Sequence, residues 1–351
     1  MDRKQFITTA ALATAATAIP GKIFAGNQNK KIVPIKPPKL SRCDTIALIS
    51  PAGFVEEDDF QEALLNVECL GFNSVAAPNV LKRVGYLAGT DRERADDVNW
   101  AFGNPDVDGI VCTRGGWGIN RMLDLLDYDL IRKNPKVLTG YSDVTSLLYG
   151  IYSRTGVVCF HGPVGTSTYN EYSKQMFYNV LTNTDAPLEL VSADESENAG
   201  NPDYERVTIR EGIATGELVG GNLSLVASLV GTKYDIDLTG KILFLEEVRE
   251  EPYRIDRMLT QMLMGTNISK CAGIAMGVFS RCNARGDESG ITGSFTLQEV
   301  LRDRLSPLNI PVVYGLSFGH VKNKMVLPFG IKAELNAGEK SLKLLEAAVT
   351  D

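Results

Sequence analysis

The chain has 351 residues, 44% of them hydrophobic and 23% charged, which is enough length and apolar content for two domains with cores of their own and excludes a disordered polymer. A formal net charge of −7 removes the clustered basic excess that a nucleic-acid surface needs. Six scattered cysteines without a C-x-x-C pair, and two histidines without H-E-x-x-H, offer no metal-ligand spacing, so no metal or other cofactor is expected and the cysteines read as buried free thiols.

The first 26 residues, MDRKQFITTAALATAATAIPGKIFAG, place Arg3 and Lys4 before an apolar stretch from Phe6 to Ile19, which Pro20 and Gly21 end. This is the layout of an export signal with Ala25 before the cleavage point, too short to span a bilayer, so we expect an exported, periplasmic protein without stable membrane insertion.

From residue 41 the chain alternates strands with helices. TIALIS (45–50) ends at Pro51-Ala52-Gly53, and Phe60, Ala63, Leu64 and Val67 then share a helical face before Gly71. GIVCTR (109–114) passes through Gly115, Gly116, Trp117 and Gly118 into Ile119, Met122, Leu123 and Leu126, again at helical spacing. Val137 and Leu138 end a third strand, followed by GYSD (140–143) and a helical face of Val144, Leu147, Leu148 and Ile151. Three strand-turn-helix units predict a parallel sheet in an α/β domain over 41–170, whose ligands bind beyond the carboxyl ends of the strands. Periodicity then fades, and 171–205 reads as a linker. A second domain, 206–347, carries GELVGGNLSL, the strand KILFLEE (241–247), a helix opened by Pro252, and the strands GIAMGVF (273–279) and PVVYGL (311–316).

The Gly-rich turn fails as a nucleotide fingerprint, because Arg121 stands where G-x-G-x-x-G requires glycine and no Lys-Ser or Lys-Thr follows. Its bare backbone can instead approach a reacting carbonyl and donate N–H to an oxyanion. Ser142, on a strand-to-helix corner, has the setting of a nucleophile elbow; by itself the same pattern also describes a helix N-cap. A serine nucleophile needs a base, which must be His161 or His320, and a carboxylate behind it. Glu246 and Glu247 end one strand, and since strand side chains alternate, only one of them can face the site.

The motifs RGGWG (114–118), LDYDLI (126–131), GYSDVTSLL (140–148), FHGP (160–163), GGNLSL (220–225), ILFLEEVREEPYRIDRML (242–259) and GLSFGH (315–320) follow one another in this order. Together they resemble the LD-carboxypeptidase family of serine peptidases, which also contains the microcin C immunity hydrolases. The resemblance, over residues 43–344, implies a flavodoxin-like N-terminal domain, a β-rich C-terminal domain, a site in the groove between them, and a homodimer. It implies a catalytic triad of Ser142, Glu246 and His320, with Glu247 as the second choice of carboxylate and His161 as architecture. Backbone amides near Gly116 and Asp143 then hold the oxyanion, and Arg114 is the candidate for binding a substrate carboxylate. The implied reaction releases terminal D-alanine from a murein tetrapeptide. Two alternatives remain, hydrolysis of an acyl-nucleotide amide and ligand binding without turnover as a periplasmic solute-binding protein. Family members that recycle murein act in the cytoplasm, which is the alternative to the export that the leader suggests.

Overall fold

The computed structural model describes residues 32–194, 196–284 and 293–351; the expected export signal lies outside them. The first half runs β1 (Thr45–Ile49), α1 (Glu57–Cys69), β2 (Asn73–Ala76), α2 (Asp91–Gly103), β3 (Gly109–Cys112), α3 (Tyr128–Lys133), β4 (Val137–Gly140), α4 (Val144–Thr155) and β5 (Phe160–His161). These five strands pair in parallel in the order β2-β1-β3-β4-β5, the flavodoxin-like doubly wound arrangement. Every residue of β3 and β4 is buried, as expected of strands covered on both faces by helices. Helix α1 opens on Glu57, Asp58 and Asp59, which suit the positive end of the helix dipole, and buries Phe60, Ala63 and Val67. Helix α2 opens on a capping box between Thr90 and Glu93.

Two local expectations are corrected. Residues 119–126 form two short 3₁₀ turns, Ile119–Arg121 and Leu123–Leu125, and the α-helix begins only at Tyr128, capped by the Asp127 side chain. Segment 171–205, read as a linker, carries helix α5 (Glu171–Leu181) and strand β6 (Leu188–Leu190). Helix α5 buries Met176, Phe177, Val180 and Leu181, with Phe177 packed on Phe72 and Tyr169.

The second half adds β7 (Val207–Arg210), β8 (Ile213–Asn222), α6 (Leu223–Leu229), β9 (Ile242–Val248), α7 (Pro252–Gly265), β10 (Gly273–Ser280), α8 (Leu297–Leu305), β11 (Val312–Gly319), β12 (Leu327–Pro328), β13 (Lys332–Asn336) and β14 (Ser341–Leu344). Its eight-stranded sheet has the order β6-β14-β13-β8-β9-β10-β11-β7, in which β8 to β11 are parallel and the flanking strands antiparallel. Strand β12 leaves this sheet and pairs antiparallel with β5, so the second half of the chain completes the first sheet. All six cysteines are free; four are buried as expected, whereas Cys43 and Cys69 are exposed. Among the described residues no helix is long and apolar enough to cross a membrane.

The two sheets meet where the Gly220-Gly221-Asn222 end of β8 packs on α4. Thr145 Oγ1 accepts the Asn222 N–H at 3.0 Å, and a Cβ at Gly221, which has φ of +141°, would lie 2.5 Å from Thr145 Cγ2. Gly221→Ala therefore combines left-handed strain with a clash inside the junction. We expect it to lower the unfolding free energy by about 2–4 kcal/mol in urea denaturation. A change indistinguishable from zero would contradict this packing.

Candidate active site

Ser142 occupies the corner between β4 and α4 with φ of +65°, an unusual conformation for a residue with a side chain. It lies against the Gly-rich turn so closely that a Cβ at Gly115 would fall 2.7 Å from Ser142 Cβ and 3.0 Å from its Oγ. Asp143 does not cap α4. Its buried carboxylate accepts the Ile119 N–H at 3.0 Å, tying the serine corner to the residue just after Gly118. Burial pushes the Asp143 carboxyl up to about 6, against the Ile119 hydrogen bond and the charge of Arg94. The Asp143 amide stands at the head of α4, before the first amide that the turn takes up, Val144 N–H to Tyr141 O at 3.3 Å.

Arg94, fully buried in α2, was not singled out in the sequence. Its guanidinium donates to the carbonyls of Pro51 (2.7 Å) and Gly118 (3.1 Å) and pairs with Asp91, fixing two of the three turns at this sheet edge. Nothing in the run DRERADD distinguishes it from a solvated charge. Arg114, half-buried, donates to the Phe54 carbonyl at 3.4 Å.

The second sheet presents Glu246 and His320. Glu246 is completely buried in β9, and its Oε2 lies 2.7 Å from Nδ1 of His320, the first residue after β11. Burial opposes the charged carboxylate, yet the charge and hydrogen bond of His320 outweigh it and hold Glu246 below the usual range. Burial likewise opposes the imidazolium, and the charge and hydrogen bond of Glu246 outweigh that and raise the His320 pKa. Strand alternation separates the two adjacent glutamates. Glu247 points to the other side, where it accepts from the Asn222 side chain (3.0 Å) and from the Ser224 amide and hydroxyl (2.8 Å each). Asn222 also caps α6 through Leu225 N–H, which makes Glu247 a support for the β8–α6 corner.

The His320 segment bridges the two sheets, entering from β11 and leaving into β12. Helix α5 clamps it: Asn170 Nδ2 donates to Asn323 Oδ1 at 2.6 Å, and Ser173 Oγ donates to Lys322 O (3.3 Å) and accepts Lys324 N–H (3.0 Å). Tyr141, next to Ser142, sets its ring edge-on to His320 with centroids 4.9 Å apart. The serine corner of one sheet and the Glu-His pair of the other thus share one aromatic contact.

His161 is buried among the rings of Tyr141, Phe244 and Phe318; among the described residues neither ring nitrogen has a hydrogen-bond partner, and burial lowers its pKa to about 4 against the charge of Glu246. Among the described residues no cluster of histidine, cysteine and carboxylate side chains could hold a metal ion.

Fold and site together define an α/β protein with two sheets, in which Tyr141, beside Ser142 and the Gly-rich turn of one sheet, contacts the glutamate-paired His320 of the other. The LD-carboxypeptidase N-terminal domain profile matches residues 46–162 and the C-terminal domain profile residues 215–335. The chain belongs to the LD-carboxypeptidase family and is a peptidase. It is 37% identical over 321 residues to a probable murein peptide carboxypeptidase of Bacillus subtilis (strain 168), covering 90% of this chain and 96% of the relative. Two solved structures are each 30% identical to it. The MccF-like protein of Bacillus anthracis str. Ames superposes with a TM-score of 0.78 over 89% of this chain and 99% of its own. The muramoyltetrapeptide carboxypeptidase of Oxalobacter formigenes does so with a TM-score of 0.74 over 88% and 100%.

The Glu246–His320 pair has a calculable pH signature. The raised His320 pKa contributes stability that is fully present below the unfolded value of about 6.5 and is lost as pH rises through the folded pKa. The lowered Glu246 pKa contributes stability present above the unfolded value of about 4.3 and lost as pH falls through the folded pKa. A double-mutant cycle with Glu246→Gln and His320→Asn should therefore show a larger coupling at pH 5.5 than at pH 8.5. Equal coupling at both would contradict the pairing. His161→Phe removes two unsatisfied polar atoms from an aromatic cage, and thermal unfolding should shift by the equivalent of no more than about 1 kcal/mol.

Proposed function

We propose that this peptidase is a serine carboxypeptidase that releases the terminal D-alanine of murein tetrapeptides. The observation that carries the reading is the pair at 2.7 Å between buried Glu246 and half-buried His320, facing the sheet edge where Ser142 is held in its left-handed corner. Glu246 takes Nδ1 of His320, fixing the tautomer and leaving Nε2 as the base for Ser142 Oγ. The serine attacks the amide carbonyl, His320 takes its proton and passes it to the departing amine, and water resolves the acyl-enzyme. The Gly116 and Asp143 amides are the donors we assign to the oxyanion, one from the Gly-rich turn and one from the head of α4. The murein assignment is supported by the names of the Bacillus subtilis and Oxalobacter formigenes relatives. The leader supports action outside the cytoplasm, on wall material or fragments newly freed from it.

Likeness to the MccF-like structure supports a second reading, hydrolysis of an acyl-nucleotide amide by the same three groups. Incubation of the purified protein with murein tetrapeptide and with an aminoacyl-sulfamoyl adenosine, followed by mass detection of products, separates the two. D-alanine release from the first alone is the expected result.

Ser142→Ala should lower turnover by about 10⁴–10⁶-fold without unfolding the protein. Normal turnover by this variant would end the proposal. Because the base must be neutral, kcat/KM should rise with pH through an apparent pKa above 6.5, the ordinary histidine value. Glu246→Gln should move that limb to lower pH and reduce the plateau by about 10³–10⁴-fold.

A further inference from the structure

The reaction described above leaves one buried charge beside the site unused. Lys324, only 7% exposed, lies between β11 and β12 on the segment that carries His320. Its Nζ donates to the Val321 carbonyl and sits 5.6 Å from the centroid of the Tyr141 ring, which also contacts His320. Its own amide is fixed by Ser173 Oγ, so the side chain starts from a rigid point. Burial lowers its pKa to about 8, with Glu246 the charge that opposes this. Glu246 already directs Oε2 at His320. Among the described residues the ammonium has one carbonyl, one ring face and the more distant Glu246 charge, and such a cation is costly to bury unless a closer anion comes to it.

We propose that Lys324 is the receptor for the free carboxylate of the substrate's terminal residue. The assignment rests on the carboxypeptidase reading. An exopeptidase of this kind must distinguish a chain end from an internal residue, and the terminal carboxylate is the group that differs. Carboxylate binding completes the coordination of the ammonium and neutralises it, and the same contact places the last amide bond beside Tyr141 and hence Ser142. Arg114, the candidate that the sequence offers for this carboxylate, is half-buried and donates to the Phe54 carbonyl at 3.4 Å; it is the rival cation in the test.

The test is calorimetric binding to the Ser142→Ala protein of two ligands, the tetrapeptide with a free terminal carboxylate and the same peptide with that carboxylate as a primary amide. A charge-assisted hydrogen bond corresponds to an acid-over-amide preference of about 10–150-fold. Adding Lys324→Met should reduce the preference to within about threefold by weakening the acid alone, and Lys324→Arg should keep part of it; loss of the preference in Arg114→Gln with retention in Lys324→Met gives the role to Arg114. Retention of the full preference in Lys324→Met overturns the assignment. So does equal weakening of acid and amide, the mark of a structural role, or the absence of any preference in the Ser142→Ala protein. Turnover by the wild-type protein is read separately: failure to cleave the tetrapeptide, with the acid preference and its loss in Lys324→Met intact, would refute the reaction and leave the receptor standing.

Discussion

The arrangement depends on a carboxylate kept charged where no water reaches it. Glu246 lies near the carboxyl end of β9, in the parallel part of a mixed sheet, completely buried, and His320, 2.7 Å from its Oε2, holds its pKa below the usual range. Removing His320 strands a buried charge, and removing Glu246 leaves a half-buried ring without its carboxylate. The second Glu246 oxygen, Oε1, is buried without a hydrogen-bond partner among the described residues.

That pair becomes useful only if the other sheet is held in register with it. Three features achieve this. The Gly221 backbone meets Thr145 of α4 without an intervening side chain, β12 carries the chain beyond His320 into the first sheet, and α5 clamps the intervening loop through Asn170 and Ser173. The first sheet has its own fixing. Asp143 reaches across to Ile119, and Arg94 holds the Pro51 and Gly118 carbonyls, so the serine corner and the Gly-rich turn move as one body. These contacts favour a preassembled site over one created by domain closure.

Much of this was legible in the sequence where a short apolar run ended in glycine or serine. Strands β1, β3 and β4 declared themselves that way, whereas β2 and β12 did not, and strand alternation foretold that only one of Glu246 and Glu247 could face the site. Which one depends on the register of β9 between β8 and β10, a long-range property that local pattern does not contain. Helical spacing over 119–126 could not distinguish an α-helix from two 3₁₀ turns, because Ile119 and Met122 suit either period. Helix α5 was missed because Met176, Phe177, Val180 and Leu181 are spread among polar residues in EYSKQMFYNVL. Arg94 and Lys324 are buried by tertiary context, and as isolated letters they resemble ordinary surface charges.

The central claim is that the serine hydroxyl becomes a nucleophile through groups borne on a different sheet. Rapid acid quench of a single turnover with murein tetrapeptide, followed by peptide mass mapping, tests it most directly. The account predicts an acyl adduct on the peptide containing Ser142, formed by the wild-type protein and absent in His320→Ala. Product formation with no adduct at any quench time, or an adduct on another residue, would contradict it.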